Sequence, residues 1–464
     1  MANPSDSDKR ILQTIVDLTD QHAGRPPTLT EVALSLGYHS SSRSNIQRQL
    51  SKLRPVFVDW TASPRSLYVT QAGYALLGLE PPQGDVDLPV SDMILPLLAS
   101  GLTHLTSIIE SGRPLQAPYP HAWQRGLNML AAECLLRDVA VPTHTEEAIK
   151  WCHTPLKTWP VRFRAPVRVL EEALLNDDQP TELCRELAIV KGDAEQEACQ
   201  KKMLEVMSEA QRNRIPDAYV ALRYSLITRP VISDEELAQL SFDPRLGPLG
   251  GLLTDLYERV PSVLADGGKV LICGFCGWTL QRVRGQLRCG DERCRLLTGD
   301  FIRVATTERP EPPSQLYRVR HPIRRYVVAP GVYEVNATRM LETLGLRVEL
   351  WPGYDKYDLR IIFPHQQQVW AVDIKDWRFP HLLAPHLTPL LHGGSWTWDR
   401  AFYAIPDERV HEQSNYLAIL QQALAGTTQT FTILTISQLV AEAHKQLSLA
   451  DHAQSASQKE RLHA

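Results

Sequence analysis

Four cysteines, set as Cys273-x2-Cys276 and Cys289-x4-Cys294 with twelve residues between the pairs, constrain this chain more than any other feature. Each pair is close enough to sit on one tight knuckle. Two facing knuckles offer four thiolates in the tetrahedron that Zn²⁺ prefers. Gly274, Gly277 and Gly290 supply the backbone freedom that such turns need. With thiolate at every position no place is left for a water ligand, which predicts a structural zinc rather than a catalytic one. Cys134, Cys152, Cys184 and Cys199 are scattered through helix-like sequence and read as buried thiols. Eight cysteines in 464 residues are far from the density of a disulfide scaffold.

A chain of this length holds roughly two to four domains. No apolar run approaches the ~20 residues of a membrane helix. The polar start MANPSDSDKR lacks the apolar stretch of a signal peptide, so a soluble, cytoplasmic protein without membrane contact is expected. The net charge of −4 hides an asymmetry. From Arg282 to Arg325 eleven arginines face five acids, and from Arg43 to Arg65 five bases face Asp59 alone. Two basic islands in an acidic chain point to polyanion contacts; the plainer explanation is a preference for Arg on solvated faces.

Residues 1–78 read as a small α+β module. Ile11, Leu12, Ile15 and Leu18 mark one helix, ending at Ala23-Gly24. Arg25-Pro26-Pro27 turns the chain, and Thr28 with Glu31 fits a capping box for a second helix that ends at Gly37. Ile46, Leu50 and Leu53 mark a third, leaving Arg43, Asn45, Gln47, Arg48 and Lys52 for solvent. Arg, Asn and Gln are the side chains able to make bidentate contacts to base edges. A hairpin around Ser63-Pro64 would carry Arg65 to phosphate, as the wing of a winged helix-turn-helix. Pro81–Pro89 is a linker, residues 93–260 are helical without visible chemistry, and residues 262–305 are short strands around the cysteines. Arg282, Arg284 and Arg288 flank those cysteines, so the ribbon either lies on a phosphate backbone or staples domains together.

From about Tyr317 the pattern is mixed: a helix over Val332–Leu344, strands at Val348–Leu350, Leu359–Phe363, Val369–Ile374 and Ala401–Ile405, a helix over Glu412–Ala425, a strand at Phe431–Ile436, and a frayed tail after His452. Asp373-Ile374-Lys375 is the one Asp/Glu-x-Lys triplet in the chain. Pro364–Gln367 is the plausible turn before it, and a hairpin centred there pairs residues whose numbers sum to 731. Asp358 then sits opposite Asp373, side chains ~5 Å apart on one face, with Lys375 on that face too. Two such carboxylates repel unless a cation lies between them, which is the arrangement that Mg²⁺-dependent phosphodiester cleavage uses. Glu334 shares a helical stripe with Thr338 and Leu341 and reaches over the sheet, with Glu342 as its competitor near the helix end. Gln413 and Tyr416 either line a DNA channel or reflect ordinary helix polarity, and the tryptophans of this region are core or stack on bases.

Three resemblances follow from these residues. The segment GRPPTLTEVALSLGYHSSSRSNIQRQLSKL resembles the DNA-binding domain of LexA-type repressors, without their protease part. The order helix Glu, strand Asp, hairpin, Asp-x-Lys over Tyr333–Asp376 resembles the PD-(D/E)xK restriction-endonuclease-like superfamily, although no Pro precedes Asp358. That resemblance implies Asp358, Asp373 and the Ile374 carbonyl as ligands of Mg²⁺ or Mn²⁺. It further implies Lys375 as the base or water-positioning residue and Glu334 as an auxiliary ligand or base. The stretch from Tyr224 (YSLITRPVISDEEL) through the ribbon to Asp376 is similar to the restriction-endonuclease-related proteins of PIWI-RE defence islands. This implies an argonaute/PIWI-like protein and a helicase as partners, and DNA, an RNA:DNA hybrid or an R-loop as target.

The expectation is therefore a multidomain α+β chain: a winged helix over 1–78, an all-α middle region over 93–260, a zinc ribbon over 262–305 and a PD-(D/E)xK α/β nuclease fold over 317–452. The expected activity is metal-dependent DNA cleavage in defence against foreign DNA, with a homodimer as one route to double-strand cuts. The alternative is a non-catalytic DNA-binding subunit or regulator that uses the nuclease fold only for grip.

Overall fold

A computed structural model describes residues 4–21, 27–38, 43–54, 57–59, 67–79, 90–110, 113–142, 144–163, 165–283, 285–290, 292, 294, 307–363, 368–390, 396–425 and 432–462. The fold is mixed α+β and divides into two compact units, Met1–Ala194 and Glu195–Ala464. No helix among the described residues is long and apolar enough to cross a membrane.

The first unit begins with the helix Asp6–Gln21, whose Ile11, Leu12, Ile15 and Val16 are buried. The helix Leu29–Ser35 starts at a capping box: the Thr28 hydroxyl accepts from the Glu31 amide at 3.2 Å, and the Glu31 carboxylate accepts from the Thr28 amide at 2.6 Å. It stops at Gly37, whose φ of 80° lies in the left-handed region glycine tolerates. The helix Arg43–Leu53 buries Ile46, Leu50 and Leu53, and an antiparallel ribbon pairs Val58 with Val69. A further short helix, Gln71–Leu77, was not foreseen. Farther along, the helix Val90–Glu110 packs against His121–Leu136 and Glu182–Ile189. Gly101 makes that approach possible, because a Cβ there would meet the backbone of Trp123 at 2.6 Å.

The expected helical stretch 93–260 does not stay in one unit: the division falls at 194/195, and short strands at Leu175–Asn176, Gln179–Pro180, Val231–Ser233 and Tyr257–Arg259 interrupt it. In the second unit, Val231–Ser233 and Tyr257–Arg259 flank Leu316–Val319 in an antiparallel sheet. A second small sheet centres on Lys269–Ile272, and Leu280–Val283 pairs with Gln286–Cys289. A five-stranded sheet follows, in the order Arg347–Leu350, Leu359–Phe363, Gln368–Ile374, Arg400–Ile405, Ile433–Thr435. Its first three strands are antiparallel and its last two join in parallel. Leu359, Ile361 and Phe363 alternate into the core as a half-buried strand requires. The helices Ala329–Glu342 and Ile436–Leu462 cover one face, and Leu383, Tyr416 and Leu420 cover part of the other.

Two sequence expectations need correction here. The helix over Glu412–Ala425 is two helices, Asp407–Glu412 and Tyr416–Leu424, because Gln413 takes an extended conformation between them. The frayed tail is the end of the helix Ile436–Leu462.

Candidate functional site: a carboxylate group and a four-cysteine centre

The strands Leu359–Phe363 and Gln368–Ile374 pair in the register in which partner numbers sum to 731, from Leu359↔Val372 to Phe363↔Gln368. The turn Pro364–Gln367 itself lies outside the described residues. Just before Leu359 the register slips by one, as at a bulge: the Asp358 amide donates to the Val372 carbonyl at 3.1 Å, and the ladder does not pair Asp358 with Asp373 as the hairpin arithmetic expects. The Asp358 and Asp373 carboxyls are nevertheless close enough to interact at one end of the hairpin. The Asp358 carboxylate accepts from the Ile374 amide at 2.6 Å, and the Lys375 ammonium lies 2.8 Å from Asp373. The Tyr403 ring centroid, on the neighbouring strand, is 6.0 Å from that ammonium.

Glu334 arrives from the helix Ala329–Glu342 and is buried. Its carboxylate accepts from the Trp351 indole N–H and lies 3.2 Å from a guanidinium nitrogen of Arg223. Arg223 also pairs with Asp355, and its guanidinium sits 4.6 Å from the Trp351 ring centroid. Trp351, Gly353, Tyr354 and Asp355 all have positive φ (46°, 61°, 61° and 70°). Three of these four carry a Cβ, so this turn stores backbone strain of about 1 kcal/mol or more per residue. It delivers the Trp351 indole to Glu334 and the Asp355 carboxylate to Arg223. Glu342, the competitor of Glu334, is exposed at the helix end.

The electrostatics follow from this crowding. Burial, then the charges of Glu334 and Asp373, push the Asp358 carboxyl well above its usual range. Burial also raises Glu334, against the pull of Arg223. For Lys375 burial acts downward, but Asp373 and Asp358 outweigh it and the ammonium is held above its usual value. Glu334, Asp355, Asp358 and Asp373 put four carboxylates against two cations, Arg223 and Lys375. The group is short of positive charge.

The four cysteine sulfurs lie within 4.8 Å of one another and are all buried. Among the described residues they are the one group of three or more metal-type side chains gathered so closely; the carboxylates form no such trio. The knuckle is closed by the Gly277 amide donating to the Cys273 carbonyl at 2.8 Å, with Gly277 at φ 68°. Neighbouring thiols, Cys273 first, hold Cys276 well below the usual thiol range and push Cys289 and Cys294 well above it. Arg324, fully buried, brings one guanidinium nitrogen to 3.5, 3.4 and 3.6 Å from the sulfurs of Cys276, Cys289 and Cys294, and lies 5.1 Å from the Trp278 ring centroid.

The flanking arginines divide. Arg282 is exposed but paired with Asp266, and Arg288 is half-buried. Much of the basic island is committed internally: Arg309 pairs with Glu236 and Glu311, and Arg318 with Glu258. In the first unit Asn45, Gln47, Arg48 and Lys52 are all exposed on the helix Arg43–Leu53. Arg43 begins that helix, while its side chain, Arg65 and Arg284 lie outside what is described. Tyr416 is no channel residue: it is fully buried and donates to the Trp377 carbonyl at 2.8 Å. Trp351 and Trp370 are core.

Sequence reasoning missed Arg223, Asp355 and Arg324. The first lies in a stretch without visible chemistry and the last reads as surface charge in the sequence. The runs of charge gave no sign of either role.

Residues 331–451 match the family described as "REase associating with pPIWI_RE", and residues 94–233 match "pPIWI_RE three-gene island domain Y". A comparison with curated proteins finds no match. The solved structure of restriction endonuclease FokI is similar over 88% of this chain and 80% of that one at 12% identity, with a TM-score of 0.17, a likeness too slight to bear on the fold. Two separate segments of the chain thus match families named for pPIWI_RE, and the second of them, 331–451, carries the resemblance to a restriction endonuclease.

Proposed function

We propose that this chain is a divalent-metal-dependent DNA endonuclease of the PD-(D/E)xK type, acting in defence against foreign DNA. The observation that supports this reading is the cluster at the end of the hairpin, where Asp358 accepts from the Ile374 amide at 2.6 Å and Lys375 lies 2.8 Å from Asp373. The donor set fits Mg²⁺ or Mn²⁺: two neighbouring carboxylates and the Ile374 carbonyl are hard oxygens, in a group short of positive charge. When bound, such an ion polarises the phosphodiester and lowers the pKa of a water ligand. Asp358, Asp373 and Ile374 would hold it. Lys375 orients the attacking water and steadies negative charge growing on the phosphoryl oxygens.

The four cysteines hold a structural zinc in this reading, since all donors are thiolates packed in the core. Asn45, Gln47, Arg48 and Lys52 form the DNA-reading face of a winged helix-turn-helix in this reading. The family descriptions point to work beside other island proteins: an argonaute/PIWI-like protein and a helicase are the proposed partners, and an R-loop or RNA:DNA hybrid the proposed target. The test is thermal stability of the zinc-loaded chain with and without Mn²⁺, in wild type and Asp373→Ala. A rise in melting temperature that disappears in the variant supports the site. No rise in either protein favours a DNA-binding subunit without chemistry.

A further inference from the structure

We infer that Arg223 is a built-in counter-charge that takes Glu334 out of the metal's ligand set, leaving one divalent ion to Asp358 and Asp373. The inference rests on the nuclease reading above and changes what that reading assigns to Glu334. Arg223 comes from the helix Pro216–Thr228, inside the segment that matches domain Y and outside the one that matches the restriction endonuclease. The two helices approach closely at Gly331, where a Cβ would collide with Ile227. One turn from that contact on each helix, Arg223 meets Glu334.

Two donors address the same oxygen of Glu334 from the interior: the Trp351 indole N–H and the guanidinium at 3.2 Å. A buried carboxylate held in this way has its charge offset and its orientation fixed. Turning it toward a metal would leave Arg223, whose side chain is 7% exposed, with Asp355 as its one paired carboxylate. Leaving such a buried cation with half its compensation is strongly unfavourable. Asp358 and Asp373 differ: between them they have one ammonium and one backbone N–H, and their carboxyls are close enough to interact. Arg223 is thus a positioning residue, supplied to the nuclease sheet by a neighbouring segment of the same chain.

The test counts Mn²⁺ bound by the zinc-loaded full chain, by calorimetric titration, in wild type, Glu334→Gln and Asp373→Asn. The expected result is one ion per chain, an affinity in Glu334→Gln within about threefold of wild type, and a loss of roughly 100-fold or more in Asp373→Asn. If Glu334→Gln loses as much as Asp373→Asn, or if wild type binds two ions and Glu334→Gln one, the inference is overturned while the nuclease reading stands. If wild type binds no Mn²⁺, the nuclease reading itself falls. A thermal cycle reads the Arg223–Glu334 coupling independently of metal. Arg223→Met should melt well below wild type, and adding Glu334→Gln to it should recover part of the loss. A double variant that melts lower than Arg223→Met alone contradicts the counter-charge role.

Discussion

Phe275, on the loop between Cys273 and Cys276, packs edge-on against Tyr333, the residue preceding Glu334, with ring centroids 5.8 Å apart. The four-cysteine centre is in this way a buttress of the helix that carries one of the candidate site's carboxylates. The cysteines belong to the same buried cluster as Val335 and Trp351.

Removing the metal from this centre should loosen that cluster. Chelation of zinc is expected to lower the main melting temperature of the chain, and Phe275→Ala to reproduce part of the drop. A half-buried aromatic lost from such a contact costs about 1–3 kcal/mol. Differential scanning calorimetry of the two proteins checks this; a chelated chain that melts like the loaded one would show that the centre supports nothing beyond itself.

Arg324 should matter to zinc itself. Four thiolates around Zn²⁺ leave two negative charges in the core, and the Arg324 guanidinium lies against three of the sulfurs. Arg324→Met is expected to weaken zinc binding by about 10–100-fold, as loss of an outer-shell partner typically does. Competition with a chromophoric chelator measures it, and an unchanged affinity would assign the guanidinium to packing on Trp278 alone.

How much of this was legible in the sequence differs by region for physical reasons. The hairpin register was legible because Leu359, Ile361 and Phe363 alternate cleanly, and a slip by one residue would turn them all to the wrong face. The cysteine centre was legible because ligand spacing is local. Arg223 was not: it lies on the buried side of its helix among Tyr219, Leu222, Leu226 and Ile227, where sequence pattern puts apolar residues, and Glu334 lies 111 residues away. Arg324 was hidden in a run of arginines whose charge suggested a surface. The turn Trp351–Asp355 was equally opaque, since composition gives no sign of positive φ at Trp, Tyr and Asp.

The helix Arg43–Leu53 offers a separate prediction. Gln47 and Arg48 are exposed on it, whereas Ile46 and Leu50 are core. Gln47→Ala with Arg48→Ala should weaken binding to duplex DNA by about 10-fold or more, each good base contact contributing about 1–3 kcal/mol, while Mn²⁺ binding stays unchanged. Gel shifts at fixed salt read the first and calorimetry the second. Equal DNA affinity in the double variant would remove this helix from the DNA interface.

The central claim, that Asp358 and Asp373 with Lys375 form a nuclease site, is tested most directly by cleavage. Plasmid, single-stranded DNA and an R-loop are incubated with wild type or Asp373→Ala in Mg²⁺ or Mn²⁺, alone and with the proposed partner proteins. Cutting by wild type that Asp373→Ala abolishes is expected on at least one of these substrates. Cutting that persists in Asp373→Ala, or none by wild type even with its partners, would contradict it.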